Sequence, residues 1–107
     1  SIDLLVVPVN AVPPFLINDG IPTQINGRVL ENYVDASLVR SILTLSGLPV
    51  IAIPCGVDHL GLPFGVQVVG KRHGDKKLLE ASVVLQKLFQ SKKEMKQPKP
   101  NIKELSK

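Results

Sequence analysis

The sequence predicts an α/β fold that is part of a larger α/β domain, and three observations carry this. Three short runs, residues 2–8 (IDLLVVP), 49–54 (PVIAIP) and 63–70 (PFGVQVVG), are apolar almost without interruption. Such runs read as strands buried on both faces, as in the parallel part of an α/β sheet. Two other stretches repeat their apolar residues at helical spacing. Two helices cannot cover three doubly buried strands, so further layers and strands are required beside them.

Taken in order, the first strand ends at Pro8. Residues 9–34 then carry Pro13, Pro14, Gly20, Pro22 and Gly27 with little periodicity. This connection is longer than the roughly 12–15 residues of ordinary structureless loops, so it reads as functional or as packed on something else. Asp35 reads as a helix N-cap and Gly47-Leu48-Pro49 as the stop. Between them Leu38, Val39, Ile42, Leu43 and Leu45 form an apolar stripe, and Ser37, Ser41 and Thr44 form a hydroxyl stripe flanked by Arg40. The two later strands each follow a Gly-Leu-Pro lead-in, where proline fixes φ at the first strand position. Residues 55–62 (CGVDHLGL) between them read as a polar loop. Asp75 reads as the cap of a last helix whose stripe is Leu78, Ala81, Leu85, Leu88 and Phe89. The expected organisation is therefore a structured segment, residues 1–89, followed by a flexible Lys-rich tail, residues 90–107.

Composition narrows the function classes. The net charge is +4, but the tail holds six Lys and two Glu, leaving the body neutral with seven charges of each sign. A nucleic-acid-binding surface on the body is thus not expected, and the Lys run reads as a solvated end. No apolar run reaches the roughly 18 residues of a membrane-spanning helix. The lone Cys55 allows no internal disulfide, and the expected location is cytoplasmic.

Few side chains suggest chemistry. Cys55 with His59 and His73 lacks an orienting third group, so Cys55 reads as a small buried hydrophobe rather than a nucleophile. Cys55, Asp58, His59 and His73 match no structural-zinc spacing, and no metal is expected. Neither glycine-rich phosphate-loop pattern occurs, so no cofactor is expected either. Gln67 interrupts an apolar strand, which fits a buried amide satisfied by neighbouring backbone or, alternatively, a side chain lining a substrate channel. The Ser37, Ser41 and Thr44 stripe fits small-residue packing or plain exposure first, with a pocket wall as the alternative.

Residues 44–79 (TLSGLPVIAIPCGVDHLGLPFGVQVVGKRHGDKKLL) resemble the C-terminal region of the amidase signature family. There an N-L-x-G-L-P lead-in precedes a strand ending in P-x-G, followed by a short turn, a G-L-P-x-G-x-Q strand and a Leu-rich helix. Residues 3–14 (DLLVVPVNAVPP) likewise resemble the family's D-x-L-L-x-P-T strand and proline-rich loop. The resemblance spans residues 3–89. Thr44 replaces the family's usual Asn, and residues 71–75 (KRHGD) replace a more usual aromatic-acidic turn.

The resemblance implies a large α/β/α fold with a mixed central sheet, of which this chain is the C-terminal part. It also implies hydrolysis of carboxylic amide C–N bonds by a Lys, a bridging Ser and a nucleophilic Ser. Those residues belong to a Gly/Ser-rich stretch and an upstream Lys that have no counterpart in these 107 residues. No catalytic residue is therefore assigned, and the chain alone is expected to be inactive. The expected substrate is a small-molecule amide, with Ser37, Ser41 and Thr44 as candidate binding residues. The rest of the amidase domain or a partner chain would cover the sheet. In the tRNA-dependent amidotransferase branch, an acidic residue helping to hold glutamine falls at the position of Ser37. A simple amide hydrolase is accordingly the first expectation. The alternatives are a non-catalytic amidase-like module that completes its sheet with a partner, and the amidase component of a tRNA-dependent amidotransferase.

Overall fold

The computed structural model describes residues 3–106. Its centre is a three-stranded sheet of β1 (Leu5–Pro8), β4 (Val50–Val57) and β5 (Pro63–Val69), in the order β1-β5-β4. Between β1 and β4 lie a two-stranded ribbon, β2 (Gln24–Ile25) with β3 (Arg28–Val29), and helix α1 (Leu38–Leu45). After β5 come α2 (Asp75–Ser91) and the short α3 (Ile102–Leu105).

All three strand pairings are antiparallel, which corrects the parallel reading of the apolar runs. Nor are all the strands buried on both faces: the end of β5 is buried, whereas β1 leaves Leu5 and Val6 about half exposed. Val68 is fully buried at the centre, flanked by Val6 and Ile51 in register. The hairpin also begins later than expected, because β4 continues through Cys55 and Gly56 to Val57. The register slips between Pro54 and Gly56, so Cys55 is the extra residue of a β-bulge. At Gly56, φ is +122°, and a Cβ there would stand 2.8 Å from Met95 Cα. Only glycine accommodates both the backbone angle and the approach of the 3-10 turn Lys93–Met95, which packs on β4.

Helix α2 covers one face of the sheet. Ile53, Val68 and Leu78 form its buried core, with Leu4, Ile51, Val66, Leu85 and Phe89 packed around it. The expected stripe is modified at two positions. Leu88 lies exposed, whereas Ser82 is buried and donates its hydroxyl to Leu78 O at 2.6 Å. That local bond satisfies the hydroxyl and lets a serine share the core face. Asp75 is the first residue of the helix and not its cap. The preceding Gly74 has no side chain to cap with, and the carboxylate instead favours the positive end of the helix dipole.

Asp35 is likewise not a cap. It opens a 3-10 turn, Asp35–Ser37, that leads into α1, and its carboxylate accepts from Glu31 N at 3.0 Å. Asn32 Oδ1 accepts from Val34 N at 2.9 Å, in the manner of a capping side chain one turn earlier. Gly47, with φ +69°, ends α1 in the left-handed conformation expected of a helix stop. The apolar stripe of α1 is only partly packed: Val39 and Leu43 are half-buried, whereas Ile42 is 61% and Leu45 86% exposed.

Candidate functional site

Three segments converge on one cleft of about 1120 Å³. The first is the proline-rich loop after β1, the second the tip of the β4–β5 hairpin, and the third the turn leading into α1. Each is held by a specific local device.

Gln67 sets the loop. It stands opposite Val7 on β1, and its Nε2 donates to Pro8 O at 3.1 Å. Val9 N then donates to Gly65 O at 3.3 Å. The strand therefore leaves the sheet at a fixed point, and Pro13 and Pro14, whose rings fix φ, line the cleft beyond it. Of the two readings of Gln67, the structure selects the buried amide satisfied by backbone.

Asp58 sets the hairpin tip. Its Oδ1 accepts from Leu60 N at 2.8 Å and from Leu62 N at 2.9 Å, while Gly61 N donates to Asp58 O at 3.0 Å. The carboxylate is thus turned into its own loop, as an Asx turn. Its Oδ2 is buried without a partner among the described residues. His59 and Phe64 line the cleft beside it.

The third wall carries Tyr33, Ala36, Ser37 and Arg40. Arg40 Nη2 donates to Ser37 Oγ at 2.9 Å, which directs the guanidinium along this wall. The remaining members of the hydroxyl stripe behave differently. Thr44 Oγ1 donates to Arg40 O at 3.0 Å, back onto its own helix, and neither Thr44 nor Ser41 lines the cleft.

The structure separates the other candidates. His59 and Asp58 stand in this cleft, whereas His73 lines a second cavity of about 310 Å³ with Arg72 and Asp75. Cys55 lies in neither, and burial pushes its thiol up from the ordinary value. A raised thiol is the opposite of an activated nucleophile. Among the described residues no three His, Cys, Asp or Glu gather into a set able to hold a metal ion. Among them, too, no helix is long and apolar enough to cross a membrane.

Sequence reasoning missed the β2–β3 ribbon, whose signal was present as Asn26-Gly27 between short extended pairs. Both residues have positive φ, 50° and 79°, as a two-residue hairpin turn requires. It also missed Arg40 as a lining residue, treating it as a flank of the hydroxyl stripe.

Comparison with known proteins agrees with this architecture. The sequence profile of the family described as Amidase matches residues 1–79. Among curated proteins, the A subunit of a glutamyl-tRNA(Gln) amidotransferase from Alkaliphilus metalliredigens is 35% identical over 97 residues, covering 91% of this chain and 18% of the relative. A protein from Clostridium acetobutylicum, the A subunit designated 2 of an enzyme of the same name, is 35% identical over 85 residues, covering 79% of this chain and 16% of the relative. The corresponding A subunit from Prochlorococcus marinus is 31% identical over 102 residues, covering 95% and 19%. This chain spans less than a fifth of each. No solved structure matches it. With a family profile matched over 1–79 and relatives above 30% identity across most of its length, the chain belongs to the amidase family.

Proposed function

We propose that this chain forms one wall of the substrate cleft in a longer polypeptide that hydrolyses carboxylic amide C–N bonds. The observation that carries this is the convergence of the proline-rich loop, the hairpin tip and the Ser37–Arg40 turn on a single cleft. A mostly apolar concavity with a few polar groups is the usual form of a small-molecule site. In this reading the chain binds and orients the amide and excludes water from it. Bond cleavage belongs to a Lys, a bridging Ser and a nucleophilic Ser supplied from outside residues 1–107. That Ser would attack the carbonyl carbon, expel the amine and leave an ester for water to hydrolyse.

Of the three hydroxyls, Ser37 is the one with support as a binding residue, since it lies on the cleft lining. The Lys-rich residues after Phe89 lie outside this site, and a cytoplasmic location belongs to the same proposal.

A second reading, the amidase component of a tRNA-dependent amidotransferase, is favoured by the names of the relatives. The experiment that decides is amide cleavage by the full-length native polypeptide carrying this segment, together with any chains that co-purify. Ammonia release from simple amides supports the hydrolase. Formation of glutamate from glutamine only with ATP and glutamyl-tRNA(Gln), the amide nitrogen passing to the tRNA-bound residue, supports the amidotransferase. Cleavage under neither condition overturns both and leaves the non-catalytic module.

A further inference from the structure

The cleft lining carries one Lys or Arg, Arg40, and one carboxylate, Asp58. Asp58 turns Oδ1 to two backbone N–H groups of its own turn and holds Oδ2 buried without a partner among the described residues, so neither oxygen pairs with Arg40. The ion pairs among the described residues are Lys71–Asp3 and Lys76–Glu80, and neither involves Arg40. Arg40 donates one guanidinium N–H to Ser37 Oγ, a neutral acceptor, which fixes its direction without neutralising it. The same cleft is lined by Val12, Pro13, Phe15, Ile21 and Tyr33, which offer apolar contact to a ligand.

From this juxtaposition we propose that Arg40 determines specificity: the cleft takes amides that join an apolar body to a carboxylate, and Arg40 receives that carboxylate. The proposal rests on the reading of the cleft as an amide site. A guanidinium presents parallel N–H donors that match the two oxygens of a carboxylate, and one donor already committed to Ser37 leaves the others oriented. An amide bearing an ammonium group in the same place would meet like charge and be rejected.

The test is direct calorimetric binding to the full-length polypeptide. The probes are N-benzoylglycine, its neutral methyl ester and the cationic N-benzoylethylenediamine. The carboxylate should bind about tenfold more tightly than the ester, as expected for a charge-assisted hydrogen bond, and the cation should bind worst. Arg40→Gln should bring the carboxylate and ester together, and Arg40→Lys should keep part of the preference, because a point charge remains while the fork is lost. Thermal unfolding of both variants checks that the fold is retained. Equal affinity for all three probes, or a preference that survives Arg40→Gln, overturns the proposal. Because binding is read without turnover, a polypeptide that hydrolyses no amide sinks the proposed function and still decides the role of Arg40.

Discussion

Helices α1 and α2 are both amphipathic in sequence, yet they are treated oppositely by the fold. α2 places Leu78, Leu85 and Phe89 on the sheet, where Ile53 and Val68 meet them. α1 carries as clean an apolar stripe and leaves Leu38, Ile42 and Leu45 exposed. The difference is in the neighbours. α2 follows directly on β5 and crosses back over strands of its own hairpin, so its partners are supplied within about forty residues. α1 enters the hairpin from a long connection, and its stripe is covered only in part, with Val39 and Leu43 half-buried and Leu38, Ile42 and Leu45 exposed. An amphipathic pattern states that a face will be covered. It does not state by what.

The largest effect that sharpens this contrast comes from truncating each stripe. In the full-length polypeptide, Leu78→Ala should destabilise by about 2–5 kcal/mol, the range for a buried leucine that leaves a cavity. In the 107-residue chain alone, Ile42→Ala should change stability by no more than about 0.5 kcal/mol, as at an exposed site. If the proposal of a longer amidase domain is right, the same Ile42→Ala in the full-length polypeptide should cost several times more. Denaturant unfolding of both lengths measures all of these values. An Ile42→Ala cost that stays small in the full-length polypeptide would mean that Ile42 has no cover there either.

What was legible in the sequence follows the same division. The apolar strands and the two helices were readable because their signals are local: run length, helical spacing, and Gly or Pro at the boundaries. Strand direction was not readable, since Val68 is buried whether its neighbours run parallel or antiparallel. The extension of β4 through Cys55 and Gly56 was also hidden, because Gly56 reads as a loop residue until the approach of Lys93–Met95 is seen. Of the hydroxyl stripe, Ser37 lies on the cleft lining, while Ser41 and Thr44, grouped with it by spacing alone, do not. The α-helix proper begins at Leu38, with Ser37 at the end of a 3-10 turn, so the three hydroxyls do not share one regular helical face.

An intermediate effect is expected at Gln67, which joins the two regions. Gln67→Leu conserves most of the volume but leaves Pro8 O without its 3.1 Å donor. Pro8 is exposed and the bond only part-buried, so its loss should cost about 0.5–1.5 kcal/mol, as for an ordinary hydrogen bond. The loss should also reach the loop: amide exchange at Val9 and Asn10 should quicken, while that of Val68 and Val69 at the sheet centre stays slow. Hydrogen exchange on the full-length polypeptide reads both at once. Uniform quickening across β5 would show that Gln67 supports the sheet as a whole and has no particular hold on the cleft loop.

The smallest effect concerns Cys55, and it tests how closely the residues after α2 seal the sheet. Burial raises the thiol above its ordinary pKa of 9.0 by penalising the thiolate. With a native pKa above the unfolded one, the native state holds the extra proton between the two values. The contribution of the neutral thiol to stability is then fully present below about pH 9 and is lost as the pH rises through the native value. Melting curves between pH 7 and 10 should fall more steeply above pH 9 for the native sequence than for Cys55→Ala. Alkylation by iodoacetamide at pH 8 should also be slow until the chain is unfolded in urea, because the thiol is only 6% exposed. Equal pH slopes together with rapid alkylation of the folded chain would mean that β4 opens at the bulge. The turn Lys93–Met95, which packs on β4 at Gly56, would then be too weakly held to count as part of the sealed hairpin.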